Sequence, residues 1–361
     1  MTILFLSIEF NYCCGISRSI FSLARGLKEQ GHRIILGCPG GTMTGEFKEA
    51  GMDYVMMPFY PDRKKPADLV AASRLIYTTI KKYKVDVIHS HHRLPELLSV
   101  AIGRLLRIPT VTTCHAIIYG KASLSFKSDY VIGVSNAVKN NLVDYFSINS
   151  GKIKVVPNIP REFPSVSAET ITAFKKEHGI SAGQFVVTGI GRLHHEKGFD
   201  LLLKAVTMMH DMNIRTILVG KGGEKQKLRD LALENDDRII FIDETQHLET
   251  IYAASDVIVV PSRMESAGLV PIEAAFFNRA VIAAKVGGLI EHIEDGINGI
   301  HVEPEDPAEI LAAIQRLYDD PSLKSQIGGR LNQSVRQQYN GGYIVEQVLE
   351  IYKKTIEKYE A

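Results

Sequence analysis

The sequence predicts an α/β protein of two Rossmann-like, doubly wound domains facing one another across a cleft. Three observations lead there. The chain runs to 361 residues, more than one hydrophobic core usually serves, so two domains are the default expectation. Short apolar runs alternate with longer amphipathic stretches from end to end, the rhythm of parallel strands covered by crossover helices. That rhythm breaks around 157–183, where "PNIPREFPSVSAET" carries three prolines and no clear period, and a hinge is expected near it.

Taken in order, "TILFLSI" (2–8) reads as a strand and "SRSIFSLARGLKEQG" (17–31) as a helix closed by Gly31. "RIILGCP" (33–39), "VDVIHSH" (85–91), "TVTTCH" (110–115) and "YVIGVS" (130–135) follow as strands, with "ELLSVAIGRLL" (96–106) as a helix. Beyond the hinge the rhythm restarts. "FVVTGIG" (185–191), "RTILVG" (215–220), "IIFID" (239–243), "DVIVVPS" (256–262) and "AVIAAK" (280–285) read as strands with helices between them. "GGYIVEQVLEIYKKTIEKYE" closes the chain as a long amphipathic helix. The expected domains are 1–160 and 161–342, with no internal sequence repeat. In such folds a ligand lies beyond the carboxyl ends of the strands.

Composition narrows the function classes. Hydrophobic residues make up 45% and charged residues 23%, the mix of a soluble globular protein, and the formal net charge of +1 does not favour nucleic acid as a partner. No run approaches eighteen apolar residues, so no transmembrane helix is expected. "MTILFLSIEF" lacks a basic leader and carries Glu9, so it reads as a first strand and not a signal peptide. Cys13, Cys14, Cys38 and Cys114 form no CxxC pair, which points to reduced thiols in the cytoplasm. "HSHH" (89–92) follows an apolar strand without partnered carboxylates, so no metal is expected there.

Three stretches carry candidate chemistry. In "EFNYCCGISRS", Gly15 opens a helix after the first strand, where free N–H groups favour an anion and a turn glycine is equally consistent. The full GxGxxG fingerprint is absent, which leaves nicotinamide dinucleotides unsupported. In "GIGRLHHEKGFDLLLKA" a strand ends at Gly191, and Arg192 and Lys197 then precede a helix. Two cations at a binding edge can neutralise a diphosphate, though solvated loop cations look the same. In "ESAGLVPIE" the amides of Ala267, Gly268, Leu269 and Val270 open a helix with Pro271 in its first turn. Glu273 suits any helix N-terminus, but Glu265 precedes it by several residues. Carboxylates for hydroxyls, with amides and cations for phosphates, suit a sugar nucleotide. No DxD pair occurs, so the positive charge must come from the protein and no metal cofactor is called for.

These stretches resemble retaining GT-B glycosyltransferases of family 4. "RMESAGLVPIEAAFFNRAVIAAKVGGLIEHIEDGINGIHVEP" is similar to that family's signature region, with Glu265 and Glu273 as its pair of glutamates with seven residues between them. "GIGRLHHEKG" matches its G-R-L-x-x-x-K-G element, and "GH" (31–32), "TCH" (113–115), "GVS" (133–135) and "PN" (157–158) extend the likeness over nearly the whole chain. Three departures stand out: Cys14 where a second loop glycine is common, Ala116 where an aspartate is common, and no glycine after the asparagine of "PNIP".

The resemblance implies roles. Glu273 hydrogen-bonds the nucleotide ribose, and Glu265 lies by the transferred sugar. Arg192 and Lys197 hold the diphosphate, Gly15 approaches it from the N-terminal domain, and His115 lines the sugar pocket. The helix at 343–361 packs back on the N-terminal, acceptor-binding domain. A sugar would pass from a UDP- or GDP-linked donor to a glycan, lipid-linked or small-molecule acceptor, with retention and without a metal. The family's usual company is bacterial cell-surface polysaccharide biosynthesis. A non-hydrolysing sugar-nucleotide epimerase and a catalytically weak sugar-nucleotide-binding protein are the alternatives. "RKK" (63–65) and "KKYK" (81–84) could bring a cytoplasmic protein to the inner face of the membrane, or simply be solvated.

Overall fold

The computed structural model describes residues 1–12, 14–60, 65–209, 213–232, 237–243 and 245–360. The chain divides into two compact units, Met1–Arg161 with Tyr339–Ala361, and Glu162–Gln338. The return into the first unit thus falls a few residues before the expected 343.

In unit 1, strands β1 (Thr2–Leu6), β2 (Arg33–Cys38), β3 (Asp53–Met56), β4 (Val87–Ser90), β5 (Thr110–Cys114), β6 (Tyr130–Gly133) and β7 (Ile153–Val155) form one sheet. The order is β3-β2-β1-β4-β5-β6-β7, and each pairing is parallel. Strand order reverses between β1 and β4, which makes a switch point beyond their carboxyl ends. Both faces of β1 are buried, so its side chains sort by alternation. Ile3 and Phe5 pack under α1 (Gly15–Glu29) and α13 (Gly341–Glu360), while Leu4 and Leu6 pack under α3 (Pro66–Tyr83). Helix α4 (Arg93–Leu106) lies beside α3.

Unit 2 repeats the plan. Its strands are β8 (Phe185–Ile190), β9 (Ile214–Val219), β10 (Ile239–Ile242), β11 (Val257–Val260), β12 (Ala280–Ala284) and β13 (Ile300–Val302). They are ordered β10-β9-β8-β11-β12-β13, again parallel, with the switch point between β8 and β11. Helices α7 (Phe199–Thr207) and α11 (Pro307–Asp319) bury Leu202, Val206 and Ile314 against this sheet. Two Rossmann-like α/β domains are therefore present, as expected. Strands β3, β7 and β13 were not foreseen. They are edge strands of three or four residues, too short to carry a pattern.

The "HSHH" stretch builds the interior of unit 1. His89 accepts or donates at Nδ1 to the Tyr352 hydroxyl of α13 (2.6 Å) and at Nε2 to the Thr113 hydroxyl (2.7 Å). His91 stacks on it at 4.3 Å between ring centroids. Among the described residues no group of His, Cys, Asp or Glu is arranged to hold a metal ion. Cys14, Cys38 and Cys114 are free thiols, and Cys13 lies outside the described residues.

Burial pushes His89 down to about 3, and His91 well below the ordinary value of 6.5. Both rings are neutral in the fold, whereas the unfolded chain would protonate them near 6.5. Their contribution is intact above that pH and is lost as pH falls toward about 3. Each ring should therefore cost about 1.4 kcal/mol per pH unit once below 6.5. Urea unfolding of the full chain at pH 7 and pH 5 should show a loss of several kcal/mol. Equal stability at the two values would mean that the rings take up protons without unfolding.

Candidate functional site

The unit 2 site is built at the carboxyl ends of β8 and β11, on either side of the switch point. After β8, the Gly191 amide donates to the Val219 carbonyl (3.0 Å), so this loop is tied to the end of β9. Arg192 follows and is exposed; among the described residues its side chain forms no hydrogen bond or ion pair. A short 3₁₀ turn (His195–Lys197) leads to Gly198, which has φ +66° and so little room that a Cβ there would lie 2.0 Å from the Pro261 carbonyl oxygen. Only glycine lets the β8 loop press this closely on the end of β11.

The two loops are stitched together where they meet. The backbone amide of Arg263 donates to the Glu196 carbonyl (2.8 Å), and its guanidinium forks onto Asp200 at 2.7 and 2.9 Å. Burial alone would raise the Asp200 carboxyl, but the Arg263 fork more than offsets it and holds that carboxyl below its usual range. Bidentate Arg–carboxylate pairs fix geometry as well as charge. With the loops so fixed, Glu265 meets Lys197, Nζ to Oε2, at 2.5 Å. A third loop supports Glu265 from behind. The Gly288 amide donates to its carbonyl (3.0 Å), and at Gly287, φ +49°, a Cβ would stand 1.8 Å from that same oxygen.

Helix α10 (Leu269–Phe276) starts just past Glu265, with Gly268 as a left-handed N-cap. His292 Nε2 donates to the Ala267 carbonyl, which leaves the amides of Gly268, Leu269 and Val270 at the helix start. Glu273 lies one turn deeper and is 2% exposed, and its Oε2 accepts from the Tyr252 hydroxyl at 2.8 Å. Tyr252 comes from α9 (Leu248–Ala254) and stacks on Phe277 at 5.5 Å. Gly191, Arg192, Lys197, Glu265 and Ala267–Val270 thus share one edge of unit 2, with Glu273 beneath them. Sequence reading passed over Arg263, Tyr252 and the Gly287–Gly288 pair. The arginine two residues before Glu265 and the "GG" of "KVGGLIE" were the available signals.

Gly15 and His115 belong to unit 1. Gly15 is the first residue of α1, capped by Cys14, whose thiol donates to Glu9 Oε1 (3.3 Å) and is raised by burial. His115 follows β5, pairs through Nε2 with His91 Nδ1 (3.0 Å), and is pushed down to about 3 by burial. It therefore works as a neutral donor or acceptor. Beside it, at the switch point between β1 and β4, opens a cavity of about 290 Å³.

This pair of parallel-sheet domains, with cations and a helix start at one sheet edge, is the arrangement of a GT-B glycosyltransferase. Residues 170–332 match the family model "Glycosyl transferases group 1", and residues 14–159 match "Glycosyltransferase Family 4". A D-inositol 3-phosphate glycosyltransferase of Corynebacterium glutamicum is 30% identical over 298 residues, 73% of this chain and 71% of the relative. The N-acetyl-alpha-D-glucosaminyl L-malate synthase of Bacillus anthracis is 26% identical over 363 aligned positions, covering 91% of each chain. Anabaena Alr3699/HepE, solved with UDP-glucose, has the same fold, with a TM-score of 0.86 at 21% identity over 98% of this chain and 100% of that one. The chain belongs to glycosyltransferase family 4 and is a glycosyltransferase that uses a nucleotide sugar.

Proposed function

We propose that the chain moves a sugar from a UDP- or GDP-linked donor to a glycan, lipid-linked or small-molecule acceptor, with retention at the anomeric carbon and without a metal ion. One observation carries this reading. An exposed arginine, a lysine held by a carboxylate and the start of a helix converge on a single sheet edge of unit 2. The UDP-glucose in the Anabaena neighbour supports a uridine donor. A place in bacterial cell-surface polysaccharide biosynthesis remains the proposed setting.

In this reading the donor diphosphate meets Arg192 as a fork and Lys197 as a point charge, with the α10 amides behind them. As the sugar–phosphate bond breaks, charge grows on the leaving diphosphate, and these groups stabilise it without having to reorganise. Lys197 must exchange partners for this to happen. In the free protein its ammonium is held by Glu265; the diphosphate displaces that contact and frees the carboxylate for sugar hydroxyls. Glu273, held at Oε2 by the Tyr252 hydroxyl, hydrogen-bonds the ribose. Gly15 is proposed to meet the donor diphosphate, and His115 the transferred sugar. No side chain is assigned as nucleophile, and the departing phosphate oxygen takes the acceptor's proton on the same face.

The exposed face of α3 and α4 supports contact with an anionic bilayer. Val70 and Leu105 are 69% and 74% exposed, with Tyr77 and Leu97 also exposed, and Arg74, Lys81, Arg104 and Arg107 stand among them. Apolar side chains flanked by cations suit a lipid surface. Arg63 and Lys64 of the other basic cluster lie outside the described residues. No helix among the described residues is long and apolar enough to cross a membrane.

Three outcomes are expected. Replacing Glu273 by Ala should weaken UDP or GDP binding about ten- to a hundredfold, the worth of a charge-assisted hydrogen bond; calorimetric titration of a folded variant with unchanged affinity would remove the ribose assignment. Glu265→Gln should leave nucleotide affinity equal or up to roughly fivefold higher, because Lys197 loses a competing partner. Its sugar transfer should nonetheless collapse, and a parallel fall in both would make the ion pair structural. Flotation with phosphatidylcholine vesicles containing phosphatidylglycerol should recover the chain at low salt, and pure phosphatidylcholine vesicles should not. Equal recovery from both would discard the basic face.

A further inference from the structure

The cavity in unit 1 is walled by Ile8, Ile16, Leu94, Ala116, Ile118 and Phe126. The polar residues at its edge are unlike those of an anion site. His91 and His115 are held neutral by burial and bonded to each other. Arg93 is the cation at its margin, and three of its five N–H groups are turned to the loop that forms the far wall. Its Nε donates to the Ser125 hydroxyl (2.8 Å), and its terminal nitrogens donate to the Tyr119 and Gly120 carbonyls.

One turn further along α4, Glu96 performs the same service. It is 1% exposed, and its carboxylate accepts from the amides of Phe126 (2.8 Å) and Ser128 (3.1 Å) and from the Ser128 hydroxyl. Those bonds hold Phe126 at φ +56°, a conformation an aromatic residue rarely adopts. Strain of this kind persists only where its surroundings over-determine it. Opposite, the Ile118 amide donates to the Asn141 side chain (3.1 Å). Arg93 and Glu96 of α4 thus fix the far wall, and Asn141 fixes the wall opposite. Tyr119 and Leu124, on the same loop, are exposed and continue the apolar surface outward.

We propose that this cavity receives an uncharged, apolar portion of the acceptor, an alkyl, isoprenyl or aryl group, so that the enzyme glycosylates an acceptor with an apolar body and not a small anion. The inference rests on the glycosyltransferase reading with unit 1 as the acceptor side, and it adds the chemical class of the acceptor. A preformed apolar pocket with a few polar groups at its edge is the usual form of a small-molecule site. A carboxylate or phosphate placed among these walls would lose its water, and the guanidinium at the margin is turned to the loop by three hydrogen bonds.

Calorimetric titration of the full chain with methyl, hexyl and octyl β-D-glucoside, each below its micelle concentration, tests this. Each methylene buried should tighten binding roughly fourfold, so hexyl glucoside should bind at least tenfold better than methyl glucoside. Ala116→Phe should fill the cavity and cancel that gain, while UDP titrated into the same variant reports an intact unit 2. Ala116→Leu gives the smaller version of the same loss should the phenylalanine prevent folding. No gain with chain length, a gain that survives both substitutions, or tighter binding of L-malate than of octyl glucoside would each overturn the proposal. If wild type binds neither UDP nor GDP, the donor assignment fails instead, whatever the glucosides do.

Discussion

Glu265 can meet Lys197 because three loops in unit 2 are allowed to touch. Each starts at the carboxyl end of a different parallel strand, and each would normally be kept apart by side chains. At Gly198 and at Gly287 the missing side chain removes that obstacle, leaving a carbonyl oxygen about where a Cβ would stand. The bidentate bond from Arg263 to Asp200 then locks two of the loops, and the Gly288 amide holds the third. The ion pair follows from this close approach. So does the position of α10, whose cap at Gly268 sits a few residues beyond Glu265.

An ion pair of this kind is poised for exchange. Lys197 and Glu265 are only partly screened from water, with side chains 21% and 15% exposed. Lys197 has lost part of its hydration and kept Glu265 as its partner, so on the proposed reading an incoming diphosphate replaces a contact of similar strength instead of stripping a hydrated ion. The cost of desolvating the lysine has already been met in folding. On the same reading Arg192, exposed and without an ion-pair partner among the described residues, supplies the longer-range attraction.

The sequence made the architecture legible because both sheets are parallel and buried on two sides, so their central strands read as apolar runs such as "TILFL" and "VIVV". The edge strands β3, β7 and β13 carried no such pattern. Arg192, Lys197, Glu265 and the α10 amides were visible as charge and glycine at strand ends. The partners that aim them were hidden, because nothing in sequence places Tyr252 beneath Glu273 or Arg263 against Asp200. Similarly, "HSHH" shows four residues in line but not that His89 is tied to Tyr352, more than two hundred and fifty positions away.

The two units solve opposite electrostatic problems. Unit 2 keeps its charges near water and in exchangeable pairs, which suits a ligand that arrives with a diphosphate. Unit 1 satisfies several polar groups from within: His89 by two hydroxyls, Glu96 by backbone amides, and Arg93 by a hydroxyl and two carbonyls. Ala116 fits this second pattern. It stands where the family resemblance calls for an aspartate, and an aspartate there would face Ile118 and Phe126 across a space lined by neutral histidines. A charge at that position would have to be hydrated or paired, and the cavity would no longer favour an apolar occupant. On the proposed reading, the absence of that carboxylate is part of what lets the cavity take an apolar occupant.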